Sequence, residues 1–191
     1  INVGLLPGLS GMFPHYMLCQ APAFQTSELT VQYVGRDAWS FNSAWDIIHG
    51  LGDFGAEHGF CCYQDGAVHR VPFRQAGSKT QFPAPIGKVS TMLLHAEEII
   101  RLARQHRVRT AKVYGANIGP RAMLVCLIAK IFRMYSSTKA TARAARWLVK
   151  ASLHDMKKLS PTYGIAVQLG NLQGQQISGQ IVLNDTYQAT G

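Results

Sequence analysis

Hydrophobic and polar positions alternate in three stretches of the chain. Over 28–35, Leu29, Val31 and Tyr33 alternate with Thr30 and Gln32, the period-two pattern of a half-buried strand. The runs 60–63 and 67–73 flank Asp65-Gly66, a dipeptide suited to a two-residue turn, and predict a hairpin. The runs 165–170 and 176–183, separated by the polar stretch 171–175, predict another at the C-terminal end.

A helical period takes over elsewhere. Leu5-Leu6-Pro7-Gly8-Leu9-Ser10-Gly11-Met12 reads as a turn feeding a short helix through His15, Tyr16 and Leu18, which Pro22 ends. Ser40 or Asn42 caps a predicted helix over 43–49, with Trp45, Ile48 and His49 facing inward. Over 91–106, Met92, Ala96, Ile99, Ile100 and Ala103 form one apolar stripe while Glu97, Arg101 and Arg104 lie outside it. A short strand is expected over 112–114. Gly119-Pro120 then opens a largely buried helix to about Met134, with proline at its first turn, and an alanine-rich helix covers 137 to about 158. Two hairpins, several helices and little βαβ rhythm predict an α+β fold: a mixed, mainly antiparallel sheet covered by helices, in a single domain over 1–191.

Composition narrows this picture. With 47% hydrophobic and 15% charged residues over 191 positions, and no low-complexity tract, the chain suits a packed core and excludes disordered, collagenous and coiled-coil classes. The longest apolar run, 122–129, falls well short of the roughly 20 residues that span a bilayer, so no membrane helix is expected. The chain opens on Ile1-Asn2-Val3-Gly4, without an initiator Met or a signal-peptide plan, and reads as a part of something longer. Cys19, Cys61, Cys62 and Cys126 have no CxxC spacing, which fits a reduced, cytoplasmic chain. A net charge of +9 implies attraction to anions.

Few motifs survive their context. Gly50-Leu51-Gly52-Asp53-Phe54-Gly55 matches GxGxxG, but a helix precedes it and a strand follows, the reverse of the dinucleotide-binding arrangement, so it reads as a helix-to-strand loop. The seven histidines form no HExxH pair, no Cys/His ligand cluster and no carboxylate at metal-site spacing, and no metal site is expected. Ser10 lacks the GxSxG order of a hydrolase elbow and is read as a helix cap. Lys139, Arg143, Arg146, Lys150, His154 and Lys157 follow steps of three or four and make one basic helix face. It reads as a solvated face ahead of a phosphate-tracking one, because Trp147 groups with the apolar positions. His49, His95 and Tyr114 are candidate proton donors that sit on or beside apolar patterns and read first as core residues.

Several short motifs occur in a familiar order. Gly4-Leu5-Leu6-Pro7-Gly8-Leu9-Ser10-Gly11 resembles the Gly-x-x-Pro-Gly-Leu-Ser turn of the saccharopine dehydrogenase-like oxidoreductases. Tyr33-Val34-Gly35-Arg36-Asp37, Gly52-Asp53-Phe54-Gly55 with Tyr63-Gln64-Asp65-Gly66, and Val167-Gln168-Leu169-Gly170 with Thr186-Tyr187-Gln188-Ala189-Thr190 follow the same order. The resemblance implies the C-terminal, substrate-binding and dimerisation domain of an NAD(P)-dependent enzyme of the amino-acid and imine class. It implies further that the N-terminal Rossmann domain lies outside this chain, so that no cofactor is held here and NAD or NADP belongs to the full-length protein. Implied partners are a second copy in a homodimer and a small carboxylate-bearing substrate; the residues themselves call for no membrane and make nucleic acid the less favoured partner. The expected substrate-binding residues are Gly8 and Ser10 in the opening turn, Arg36 after the first strand and Arg121 on a helix first turn. The competing reading is a noncatalytic module that binds nucleic acid or an acidic partner through the basic helix face.

Overall fold

The computed structural model describes residues 8–51 and 60–184. Its elements in chain order are α1 (Ser10–Gln20), β1 (Glu28–Arg36), α2 (Phe41–Gly50), β2 (Cys61–Gln64), β3 (Ala67–Arg70), β4 (Gly77–Gln81), β5 (Lys88–Leu93), α3 (Glu97–Gln105), β6 (Thr110–Asn117), α4 (Pro120–Ile131), α5 (Thr138–Asp155), β7 (Thr162–Gly170) and β8 (Gln176–Leu183). The fold class is α+β, as the sequence predicts. These elements form two compact units, residues 8–34, 60–116 and 163–184 in the first and 35–51 and 117–162 in the second.

The strands share one eight-stranded sheet in the order β3-β2-β6-β1-β7-β8, with β5 also paired to β6 and β4 paired to β5. Strand β2 takes the first half of β6 (Tyr63↔Ala111) and β5 the second half (Leu93↔Tyr114), so both lie along one edge of β6, end to end. Arg109 and Thr110 N–H groups donate to the Ser27 carbonyl where β1 and β6 begin, and Ile118 N–H donates to the Gly35 carbonyl where they end. Those two strands therefore run the same way, while β2, β5 and β8 are antiparallel to their partners, and the sheet is mixed. Asp65 (φ 49°) and Gly66 (φ 92°) close the predicted hairpin between Gln64 and Ala67, both in the left-handed region that such a turn demands.

In the first unit the alternation of β1 does what it predicts. Leu29, Val31 and Tyr33, with Ile165, Val167 and Leu169 of β7, pack against Met17 and Leu18 of α1 and Ile99, Ile100, Leu102 and Ala103 of α3. Each fully buried Leu or Ile side chain contributes about 1.5–3 kcal/mol. The second unit is built differently: Ala122 and Ala129 of α4 and Ala144, Ala145 and Leu148 of α5 join Ala44 and Ile48 of α2. Ser40 and Ser137 cap α2 and α5, their side chains accepting from Ser43 and Ala140 N–H groups.

Three expectations need correction. The helix predicted over 91–106 starts later, because Thr91 and Leu93 face inward on a strand paired residue by residue with Gly77–Gln81, a polar strand without a period of its own. The helix opened by Pro120 is not largely buried. Its alanines make the contact, while Met123, Leu124, Leu127 and Ile131 are 55–64% exposed. His49 and Trp147, expected inward, are exposed because the neighbouring small residues Ala44 and Ala144 take the inner face.

Candidate functional site

The opening turn of the expected site lies in the first unit; its residues before Gly8 lie outside the described ones. Gly8 (φ 140°) and Leu9 lead into α1, where Ser10 is completely buried. The Ser10 hydroxyl donates a short hydrogen bond to Glu98, in the first turn of α3, and the Ser10 carbonyl accepts from Tyr33 Oη at 3.3 Å. Burial, reinforced by the Glu98 carboxylate, holds the Tyr33 phenol far above its ordinary pKa, so it remains a donor. The place where a substrate carboxylate was expected at the start of α1 thus holds the chain's own carboxylate.

Arg36 and Arg121 belong to the second unit and sit around a different junction. Ile118 N–H donates to the Gly35 carbonyl at 2.9 Å, tying the end of β6 to the end of β1 beside Arg36. Arg36 Nε donates to the Ser160 carbonyl at 2.9 Å and its Nη2 to Thr162 Oγ1 at 3.5 Å, leaving Nη1 without a protein acceptor among the described residues. At the start of α4 the Arg121 and Ala122 N–H groups both donate to Asp155 Oδ2 at 3.0 Å, while the Arg121 residue itself is exposed. Asn117 Oδ1 accepts from Gly119 N–H at 2.9 Å, and its Nδ2 is buried without a partner among the described residues. Of the four expected residues, Arg36 and Arg121 thus flank the Gly35–Ile118 hydrogen bond in sequence, and Gly8 and Ser10 form a separate turn.

The candidate proton donors divide. His49 is exposed on α2, whereas His95 Nδ1 lies 3.7 Å from Cys61 Sγ and its Nε2 lies 3.7 Å from Glu97. Burial, with Cys62 nearby, raises the Tyr114 phenol. On α5, Lys139, Arg143, Arg146 and Lys150 are exposed and His154 is half-buried, and Lys157, just past its end, is exposed. Trp147, 44% exposed, lies one helical turn from both Arg143 and Lys150.

One cluster escapes sequence reasoning. His15 and Cys19 face the same side of α1 one turn apart, and His106 follows the end of α3; their ligating atoms all lie within 4.8 Å of one another. His15 Nδ1 is 3.0 Å from His106 Nε2 and 4.0 Å from Cys19 Sγ. Burial and the His15 ring lower the His106 pKa. The only sequence trace is the i, i+4 pair, since the third residue comes from 91 positions away.

No protein-family model matches the chain, and no curated protein sequence is similar enough to match it. Among solved structures, the chain is similar to the apo, histidine-tagged saccharopine dehydrogenase (L-Glu forming) from Saccharomyces cerevisiae, at 9% identity and a TM-score of 0.48. The alignment covers 95% of this chain and 58% of that one, so the chain spans less than two thirds of its neighbour's length. No helix among the described residues is long and apolar enough to cross a membrane.

Proposed function

We propose that this chain is the substrate-binding and dimerisation domain of an NAD(P)-dependent, saccharopine dehydrogenase-like oxidoreductase acting on a small carboxylate-bearing amino-acid or imine substrate. The observation that carries the reading is the unpartnered Asn117 Nδ2 next to the Gly35–Ile118 hydrogen bond, with Arg36 following Gly35 and Arg121 following Ile118 by three positions. A carboxylate takes two parallel hydrogen bonds from a guanidinium, and a buried amide donor without a partner costs free energy until a ligand or water accepts from it. Gly8 and Ser10 open α1, and in this reading they join the substrate site only if the carboxylate displaces Glu98 from the Ser10 hydroxyl.

Among the described residues, no strand-to-helix glycine turn suits a dinucleotide. Helix α2 runs into Gly50 of the GxGxxG match, the opposite of a strand feeding a helix, and Gly52 to Gly55 lie outside the described residues. In this reading the nicotinamide comes from a separate nucleotide-binding domain of the full-length protein. Dimerisation is supported by the position of β8 at the sheet edge and by the exposed Met123, Leu127 and Ile131 of α4, spaced four apart.

The deciding assay follows NAD(P)H oxidation by the full-length protein with amino-acid and oxo-acid pairs. Arg36→Ala and Arg121→Ala should each raise KM for the acid about tenfold or more with cofactor affinity unchanged. Parental KM values in both variants rule out this carboxylate anchor.

One feature favours a second reading, a nucleic-acid surface. Trp147 is exposed within the basic face of α5, where a base would find a stacking partner between Arg143 and Lys150. Fluorescence titration with a labelled oligonucleotide at two salt concentrations separates the readings: phosphate tracking makes affinity fall steeply with salt, and Trp147→Ala should weaken it.

A further inference from the structure

We propose that His15, Cys19 and His106 form a binding site for a transition-metal ion, zinc or copper by ligand chemistry, independent of the oxidoreductase reading. The i, i+4 spacing on α1 stacks an imidazole and a thiol on one face of the helix. The α3 terminus brings a second imidazole to them, its position fixed by the His106 N–H, which donates to the Leu102 carbonyl at 3.0 Å. Tetrahedral zinc, with bonds of about 2.05 Å to nitrogen and 2.3 Å to sulfur, sets its ligands about 3.3 Å (N to N) and 3.6 Å (N to S) apart. The 3.0 Å between His15 Nδ1 and His106 Nε2 and the 4.0 Å from Cys19 Sγ to His15 Nδ1 lie within a few tenths of an ångström of that geometry. The third edge, Cys19 Sγ to the His106 ring, lies within 4.8 Å, and Cys19 is exposed, so its side chain is free to rotate toward the ion.

The donor types select the ion. Two borderline imidazoles and one soft thiolate suit zinc and copper and discriminate against magnesium and calcium, which take oxygen. Three protein ligands leave the fourth tetrahedral position to water or an external donor, and Cys19 loses its proton on binding. The site is thus an open one, able to bind an anion or hold a metal-bound water at the surface of the first unit.

Cobalt(II) titration of the chain tests this directly, because a thiolate ligand gives cobalt a charge-transfer absorption that histidine alone does not. One equivalent should develop the band, and zinc should bleach it. Cys19→Ser should abolish the band, and Cys19→His should keep tight metal binding without it. His15→Ala and His106→Gln should each weaken zinc affinity roughly 100-fold or more, at least the loss seen when an outer-shell partner is removed. Circular dichroism of each variant, matching the parent, keeps a folding defect from being read as lost binding. No band at equimolar cobalt overturns the site, and so does a band that persists in Cys19→Ser, which would move the ligand to another cysteine.

Discussion

Two helices of this protein begin against a carboxylate borrowed from another helix, and they use it differently. At α4, Asp155 is 4% exposed and takes the backbone N–H groups of Arg121 and Ala122 directly. At α1, Glu98 is half-buried and is reached through a side chain, the Ser10 hydroxyl, with Tyr33 closing the other side of the same residue. The first arrangement satisfies orphan amides of a helix end, where the macrodipole also favours negative charge. The second links side chains, and water can replace part of it. The same carboxylate-at-helix-start pattern is rigid where the backbone is the donor and adaptable where a hydroxyl is.

The largest effect should come from breaking the rigid one. Asp155→Ala leaves two inner N–H groups without an acceptor and should cost about 2–4 kcal/mol by urea unfolding, the loss expected for charged hydrogen bonds to buried donors. Asp155→Asn keeps an acceptor oxygen and should cost less than half as much. Equal losses from the two variants would mean that packing, not capping, explains the residue.

These two starts also mark what the sequence reveals. Alternation in 28–35, Asp65-Gly66 and the Ser40 and Ser137 caps are local signals, and the corresponding elements appear where expected. The polar strand β4 and the late start of α3 are not local, because Gly77–Gln81 has no apolar period and becomes a strand only through its partner. For the same reason Ser10 was legible as a helix-start residue, but the identity of its acceptor, 88 positions away, was not. Arg36 and Arg121 stand at element ends that the sequence marks, whereas the hydrogen bond that joins β1 to β6 there follows from those strands running parallel. The His15, Cys19 and His106 cluster depends wholly on how α1 meets α3.

The second effect sharpens the α1 side through pH. Tyr33 keeps its proton in the folded protein well above the ordinary tyrosine value, whereas the unfolded chain releases it near pH 10. A group whose folded pKa is raised stabilises fully below its unfolded pKa and loses that contribution as pH rises beyond it. Above about pH 10, Tyr33 should therefore remove about 1.4 kcal/mol of stability per pH unit. Tyr33→Phe should be about 1 kcal/mol less stable at pH 8, lacking the bond to the Ser10 carbonyl, and should overtake the parent near pH 11. Parallel stability curves for the two proteins between pH 9 and 11 would place Tyr33 in contact with water.

The smallest effect separates the two starts most cleanly, because each has a glycine against its carboxylate. A Cβ added at Gly119 would lie 2.8 Å from Asp155 Oδ2 and 3.2 Å from Asn117 Oδ1, both held by hydrogen bonds to backbone amides. Neither oxygen can retreat without losing a partner, so Gly119→Ala should cost about 1 kcal/mol, at the low end of overpacking. A Cβ added at Gly11 meets Glu98 Oε2 at 3.1 Å, but that oxygen ends a flexible, half-buried side chain that can shift by a few tenths of an ångström. Gly11 also lies inside the first turn of α1, where alanine is favoured over glycine by about 0.5–1 kcal/mol. Gly11→Ala should therefore change the unfolding midpoint little or raise it slightly, while Gly119→Ala lowers it. If both substitutions lower it equally, Glu98 is as firmly held as Asp155, and the difference between a relayed and a direct carboxylate cap disappears.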